Sequence, residues 1–140
     1  MDKFAVVEKQ FEYKGHDCIL IFTMLGERIG CVSINDDEKY HDTYDIIKFV
    51  IFARHHWVLF AGRLLPEYNP KKDYYVGFDC FGRDYDKAKE YGLIDEKRYK
   101  QFVKTSRRSP TILQPVKSLE YVEDECRKIV DQLEKENETI

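Results

Sequence analysis

Several signatures that would fix a function at once are missing from this 140-residue chain. It has no G-x-x-x-x-G-K-[ST] and no G-x-G-x-x-G, which excludes the usual backbone cradles for ATP and dinucleotides. Its four cysteines, Cys18, Cys31, Cys80 and Cys126, stand far apart, with no C-x-x-C pair and no Cys/His spacing of a zinc site. The longest strongly apolar stretch, Ile46 to Phe60, is interrupted by Lys48, Arg54, His55 and His56, so no membrane-spanning segment is expected. The first residues lack the hydrophobic core of a signal peptide, and the expected setting is a reducing cytoplasm with free thiols. No repeat, low-complexity tract or linker divides the chain, so residues 1–140 read as a single domain.

What the chain has in quantity is aromatic surface. Ten Tyr and nine Phe accompany one Trp, and apolar residues reach 43%, enough to build a core without disulfides or metal. Tyr joins an apolar body to a polar tip, which suits cross-strand pairs in a sheet and half-buried binding faces alike. The net charge is only −3, too acidic a balance for a general nucleic-acid binder. The charge is unevenly spread, however. From Arg83 to Arg108 nine basic residues face five acidic ones, and from Lys117 onward four face eight. A basic segment beside an acidic helix gives a bipolar surface for a partner, a second copy of the chain included.

The periodicity predicts an α+β domain. Phe4–Tyr13, Asp17–Met24 and Ile29–Ile34 form a meander of strands, with Gly15 supplying the first turn and Leu25–Arg28 the second. Tyr44–Ala53 and His56–Leu65 read as a hairpin. Pro66–Asp73 is a loop, and Tyr74–Cys80 a further strand in which Gly77 marks a bulge or close approach. This gives an antiparallel sheet of about five to six strands. Two short helices follow, capped by Asp84 and Asp95; Gly92 ends the first, and Tyr99, Phe102 and Val103 form the inward face of the second. The C-terminal helix is capped by Ser118 and closes the sheet with the stripe Leu119, Val122, Cys126, Ile129, Val130 and Leu133.

Candidate chemistry is sparse. Cys80 with His55 or His56 supplies the ingredients of a thiol enzyme, but a lone free cysteine more often packs as a small hydrophobe. His16 and His41 read as isolated loop residues, and a metal site would have to assemble from them with Asp79 or Asp84. No metal or other cofactor is expected. The most pointed basic cluster is Arg107–Arg108, with Lys104 and Arg83 on the same segment, where guanidinium forks suit a phosphate or carboxylate. Tyr74 and Tyr75 are the aromatic candidates for the same binding role.

Phe11–Cys18, Gly30-Cys-Val32, Tyr75-Val-Gly-Phe-Asp-Cys80 and Ser118-Leu-Glu-Tyr-Val-Glu-Asp-Glu-Cys126 through Gln132-Leu133 occur in this order along the chain. Together they resemble a family of small phage and prophage accessory proteins with a GFDC strand and a closing LEYV…EC helix, which carry no assigned activity. The family pattern continues GFDC with a His and a Gly-Asp pair, and it has a Gly-rich, His-containing segment ahead of that strand. Here Phe81-Gly-Arg-Asp84 and His55–Gly62 stand at those places. The resemblance implies a phage setting in a host bacterial cell and no mechanism. For a small phage protein without a catalytic signature, the expectation is a counter-defence protein that binds an immune component such as a CRISPR effector, or sequesters its nucleotide signal. The alternative is a small cysteine- or metal-dependent enzyme.

Overall fold

The computed structural model describes residues 4–34, 57–63, 74–79, 82–106 and 115–138, with backbone alone at 57–63, 74 and 135–138. Strands β1 (Ala5–Tyr13), β2 (His16–Thr23), β3 (Arg28–Ile34), β4 (Trp57–Arg63) and β5 (Tyr74–Asp79) form one open sheet in the order β1-β2-β3-β5-β4. Every pairing is antiparallel. Helices α1 (Tyr85–Glu90), α2 (Glu96–Ser106) and α3 (Leu119–Glu138) follow. The class is α+β with a C-terminal helix across the sheet, as the periodicity predicts.

The described sheet bears out the meander, and the expected hairpin of 44–53 with 56–65 falls in part outside the described residues. Four strands, β1, β2, β3 and β5, supply every described core side chain of the sheet, and six strands are not reached among the described residues. Residues 44–53 lie outside the described residues, and β4 forms its hairpin with β5. The Pro-containing connection after Arg63 returns the chain so that Arg63 opposes Tyr74. Beside Gly77 the ladder does bulge, but the extra residue, Leu59, belongs to β4.

Helix ends follow local chemistry. Asp84 accepts from the Lys87 N–H, Asp95 from the Arg98 N–H and Ser118 from the Tyr121 N–H, each satisfying a first-turn donor. At the end of α1, Gly92 adopts a φ of 73° while its N–H donates to Lys89 and the Leu93 N–H donates to Ala88. That paired closure needs a residue without a Cβ penalty at the left-handed position.

Both faces of the sheet are buried. On one, Cys18, Leu20, Val32, Ile34, Val76 and Phe78 meet Val122, Cys126, Ile129, Val130 and Leu133 of α3. On the other, Ala5, Ile19, Ile21, Cys31 and Tyr75 lie between 0% and 9% exposed. A third cluster, around Phe22, Ala88, Leu93 and Ile94 with Tyr85, Tyr99 and Phe102, fastens α1 and α2 to the end of the β1–β2 hairpin.

The first core depends on a missing side chain. Gly30 pairs with Phe78, and a Cβ placed on it would lie 2.3 Å from that ring and 3.0 Å from the Cys126 sulfur. The ring therefore crosses β3 and lets α3 settle over it. Gly30→Ala is expected to destabilise the fold by at least about 1–3 kcal/mol through overpacking. Val122→Asp, which buries a charge under the helix, should leave no cooperative transition. Thermal melts followed by circular dichroism check both, and an unchanged midpoint in either variant would show that α3 does not pack as described.

Candidate functional site

The interior polar residues are occupied in structural roles. His16 is not a loop residue: it opens β2, is 3% exposed, and lies 2.6 Å from both the Ser33 carbonyl and the Glu134 carboxylate. Both partners are oxygens, and the imidazole bridges them through its two ring nitrogens. The pair ties the start of β2 to the last turns of α3. On the opposite face Asp17 accepts from the Tyr75 hydroxyl at 2.5 Å and from the Gln10 amide at 3.0 and 3.1 Å, while its own N–H donates to Ser33 Oγ. Tyr75 is fully buried, which removes it from any exposed binding face. Its hydroxyl takes it inward because Asp17, in the sheet interior, needs a donor.

The described thiols are equally committed. Cys18, Cys31 and Cys126 are free and fully buried, and burial, with a smaller contribution from Cys18, pushes the Cys31 thiol up to about 12. A thiol so raised stays protonated and inert near neutral pH. Cys80, His41, His55 and His56 lie outside the described residues, as do Arg107 and Arg108, and the Tyr74 side chain is not described. Among the described residues no three His, Cys, Asp or Glu side chains converge to hold a metal ion.

The remaining candidates, Arg83 and Lys104, both belong to the α1–α2 layer, but they face different ways. Arg83 is about a quarter exposed. Its guanidinium lies 3.1 Å from Glu27 and donates to the Tyr85 hydroxyl at 3.3 Å. It lines a cleft of about 270 Å³ between α1 and α2, together with Asp84, Tyr85, Asp86, Tyr99 and Ser106. The chain reaches this position because the β2–β3 turn docks on it. Gly26, at a φ of 79°, accepts from the Asp84 N–H at 2.9 Å, and a Cβ there would meet the Asp84 backbone at 2.8 Å. Lys104 instead stands on the outer face of α2 with Lys97, Arg98 and Lys100, all exposed. Among the described residues none of these four makes an ion pair. Composition singled out the segment, but only the inward stripe Tyr99, Phe102, Val103 and Ser106 shows which cations are left outward.

Behind Arg83 sits a carboxyl pair. Glu27 shares a hydrogen bond with Asp79, and its carboxyl is pushed up to about 7, first by burial and then by the Asp79 charge, against the opposing pull of Arg83. Pairing two carboxyls beside one guanidinium leaves the group one proton short of balance, and Glu27 supplies the place to hold it.

No protein-family model matches the chain, and neither does any curated protein or solved structure. No helix of the described residues is long and apolar enough to cross a membrane.

The raised Glu27 value makes stability depend on pH with a definite sign. Folding increases this carboxyl's affinity for a proton, so its contribution is complete below the ordinary value of 4.5 and is lost as pH rises through about 7. The thermal midpoint should therefore decline between about pH 5 and about pH 8, and Glu27→Gln, which keeps a neutral side chain at every pH, should flatten that part of the curve. An unaltered slope in the variant would place the titration elsewhere.

Proposed function

We propose that this chain acts by binding, as a phage-encoded counter-defence protein that docks on a bacterial immune component, such as a CRISPR effector, through the outer face of α2. The observation that carries this reading is the row of four exposed cations, Lys97, Arg98, Lys100 and Lys104, on a helix whose other side is fixed to the core. Over two turns of helix they present positive charge that makes no ion pair among the described residues, although Lys100 acts on Glu96 one turn away, and such a row suits an acidic surface and steers its approach. The likeness to phage accessory proteins supplies the setting. In the second form of the same reading the target is the anionic nucleotide signal of the immune system. The alternative, an enzyme that uses Cys80, rests on a residue outside the described ones; Cys18, Cys31 and Cys126 are sealed in the core and are not its nucleophile.

The test expresses the chain in bacteria that carry individual defence systems and measures phage plating. The wild type should restore plating against at least one system, and the immune component should co-purify with it. Lys100→Glu with Lys104→Glu should abolish both. Reversing charges at a contact replaces attraction with a clash worth several kcal/mol, on the order of a hundredfold or more in affinity. Folding should be nearly untouched, because exposed charges contribute about 0–1 kcal/mol each. Binding should also weaken from about 0.05 to 0.5 M salt as the screening length shortens. Capture that ignores both salt and the double reversal would move the interface away from α2.

A further inference from the structure

The cleft between α1 and α2 has a composition of its own, distinct from the basic outer face of α2. Its volume, about 270 Å³, lies just under the ~300–1,000 Å³ typical of ligand pockets, which suits a compact ligand. Charge narrows the class. Among the described residues Arg83 is the one cation lining it, and its charge is met by the Glu27–Asp79 carboxyl pair, with Glu27 at 3.1 Å. Asp84 and Asp86 then leave the cleft negative, which disfavours an anion. A cation is no better served. The ring of Tyr99 already carries the Lys89 ammonium 4.9 Å from its centroid, so the aromatic seat for a positive charge is filled from within the chain.

What remains unfilled is hydrogen bonding to neutral groups. Asp84 uses one oxygen to cap α1, and Asp86 uses one to accept from the Tyr99 hydroxyl at 2.5 Å. The second oxygen of each carboxylate has no partner among the described residues. Arg83 spends two of its five N–H donors, on Glu27 and Tyr85. Two charged acceptors beside a donor fork and two tyrosines form the kind of site that grips adjacent hydroxyls, each of which both donates and accepts, while the aromatic surface covers the ring that bears them.

We infer that this cleft binds a neutral vicinal diol, the ribose of a ribonucleoside or a free sugar, held by the carboxylates of Asp84 and Asp86 with Arg83 as the donor. The site rests on the cleft alone and is independent of whether α2 docks an immune protein.

Isothermal titration of the full chain with adenosine, 2′-deoxyadenosine and glucose separates the outcomes. Adenosine should bind, and 2′-deoxyadenosine should bind at least about tenfold more weakly, because a site built to hydrogen-bond a hydroxyl rejects the analogue that lacks it. Asp86→Asn should lower the adenosine affinity by a similar factor, about tenfold, as a charged acceptor is replaced by a neutral amide. Its unfolding should stay cooperative with at most a small drop in midpoint, since Asp86 is exposed and Asn keeps an oxygen that accepts from Tyr99. Glucose binding in place of adenosine, lost again in Asp86→Asn, would uphold the diol site and assign it to a free sugar. Equal affinity for the two nucleosides, silence toward all three ligands, or an Asp86→Asn variant that binds as the wild type does would each overturn the inference.

Discussion

Arg28 brings a full positive charge to a position 7% exposed, and much of the architecture is arranged around satisfying it. Its guanidinium donates to both oxygens of Glu8, at 2.7 and 2.9 Å, and to the Lys117 carbonyl at 2.8 Å, with the ring of Phe22 5.5 Å away. One side chain of β3 thereby joins β1, β2 and the approach to α3. Glu8 passes the connection on, accepting from the Tyr91 hydroxyl just past α1. Burial alone would raise the Glu8 carboxyl, but the hydrogen bonds from Arg28 and Tyr91 and the nearby positive charges outweigh it and hold the group below the usual carboxylate range. Tyr91 moves the opposite way, up to about 12, through burial and its bond to the same carboxylate. A buried pair of this kind adds little net stability, but any arrangement that separates the partners leaves a desolvated charge.

The pair is possible only because β1 is irregular. Val7 opposes Ile21 and Lys9 opposes Leu20, so Glu8 is an extra residue in the ladder. A bulge turns two successive side chains toward the same side of a sheet, which regular alternation forbids. Glu8 can then reach Arg28 while its neighbour Lys9 pairs with Glu123 of α3. The same device blunts β1, where Phe4 and Val7 are exposed and a regular strand would invite pairing with other chains.

Much of this was legible in the sequence, and the limits are physical. The three helices, with their caps at Asp84, Asp95 and Ser118, could be read because capping and a 3.6-residue stripe are local signals. The meander of β1 to β3 was legible for the same reason. The pairing of β4 with β5 was not, since strand pairing is set by tertiary contacts that no short window contains. Tyr75 and His16 were misplaced for a related reason. Tyr looks like surface and His like a loop residue until Asp17 and Glu134, distant in sequence, appear beside them. The carboxyl pair of Glu27 and Asp79 left no sequence trace, because its members are brought together by β3–β5 pairing and the turn that docks on Asp84.

Strain and charge are divided unequally between the two halves of the molecule. In the sheet and α3, each buried polar group described above is matched: Arg28 by Glu8, Asp17 by Tyr75 and Gln10, His16 by Ser33 and Glu134. In the α1–α2 layer Lys89 pairs with Glu96 and Asp86 with Tyr99, while Lys97, Arg98, Lys100 and Lys104 make no ion pair among the described residues. Like charges three or four residues apart on a helix disfavour it by about 0.2–0.5 kcal/mol per pair, and Lys97, Lys100 and Lys104 are spaced in that way. Their repulsion brings no return in packing, because Tyr99 and Phe102 already secure the helix to Tyr85 and Phe22. The cost becomes intelligible if the charge acts on something outside the chain, with the over-determined sheet as the rigid base that holds α2 and the cleft beneath it in place.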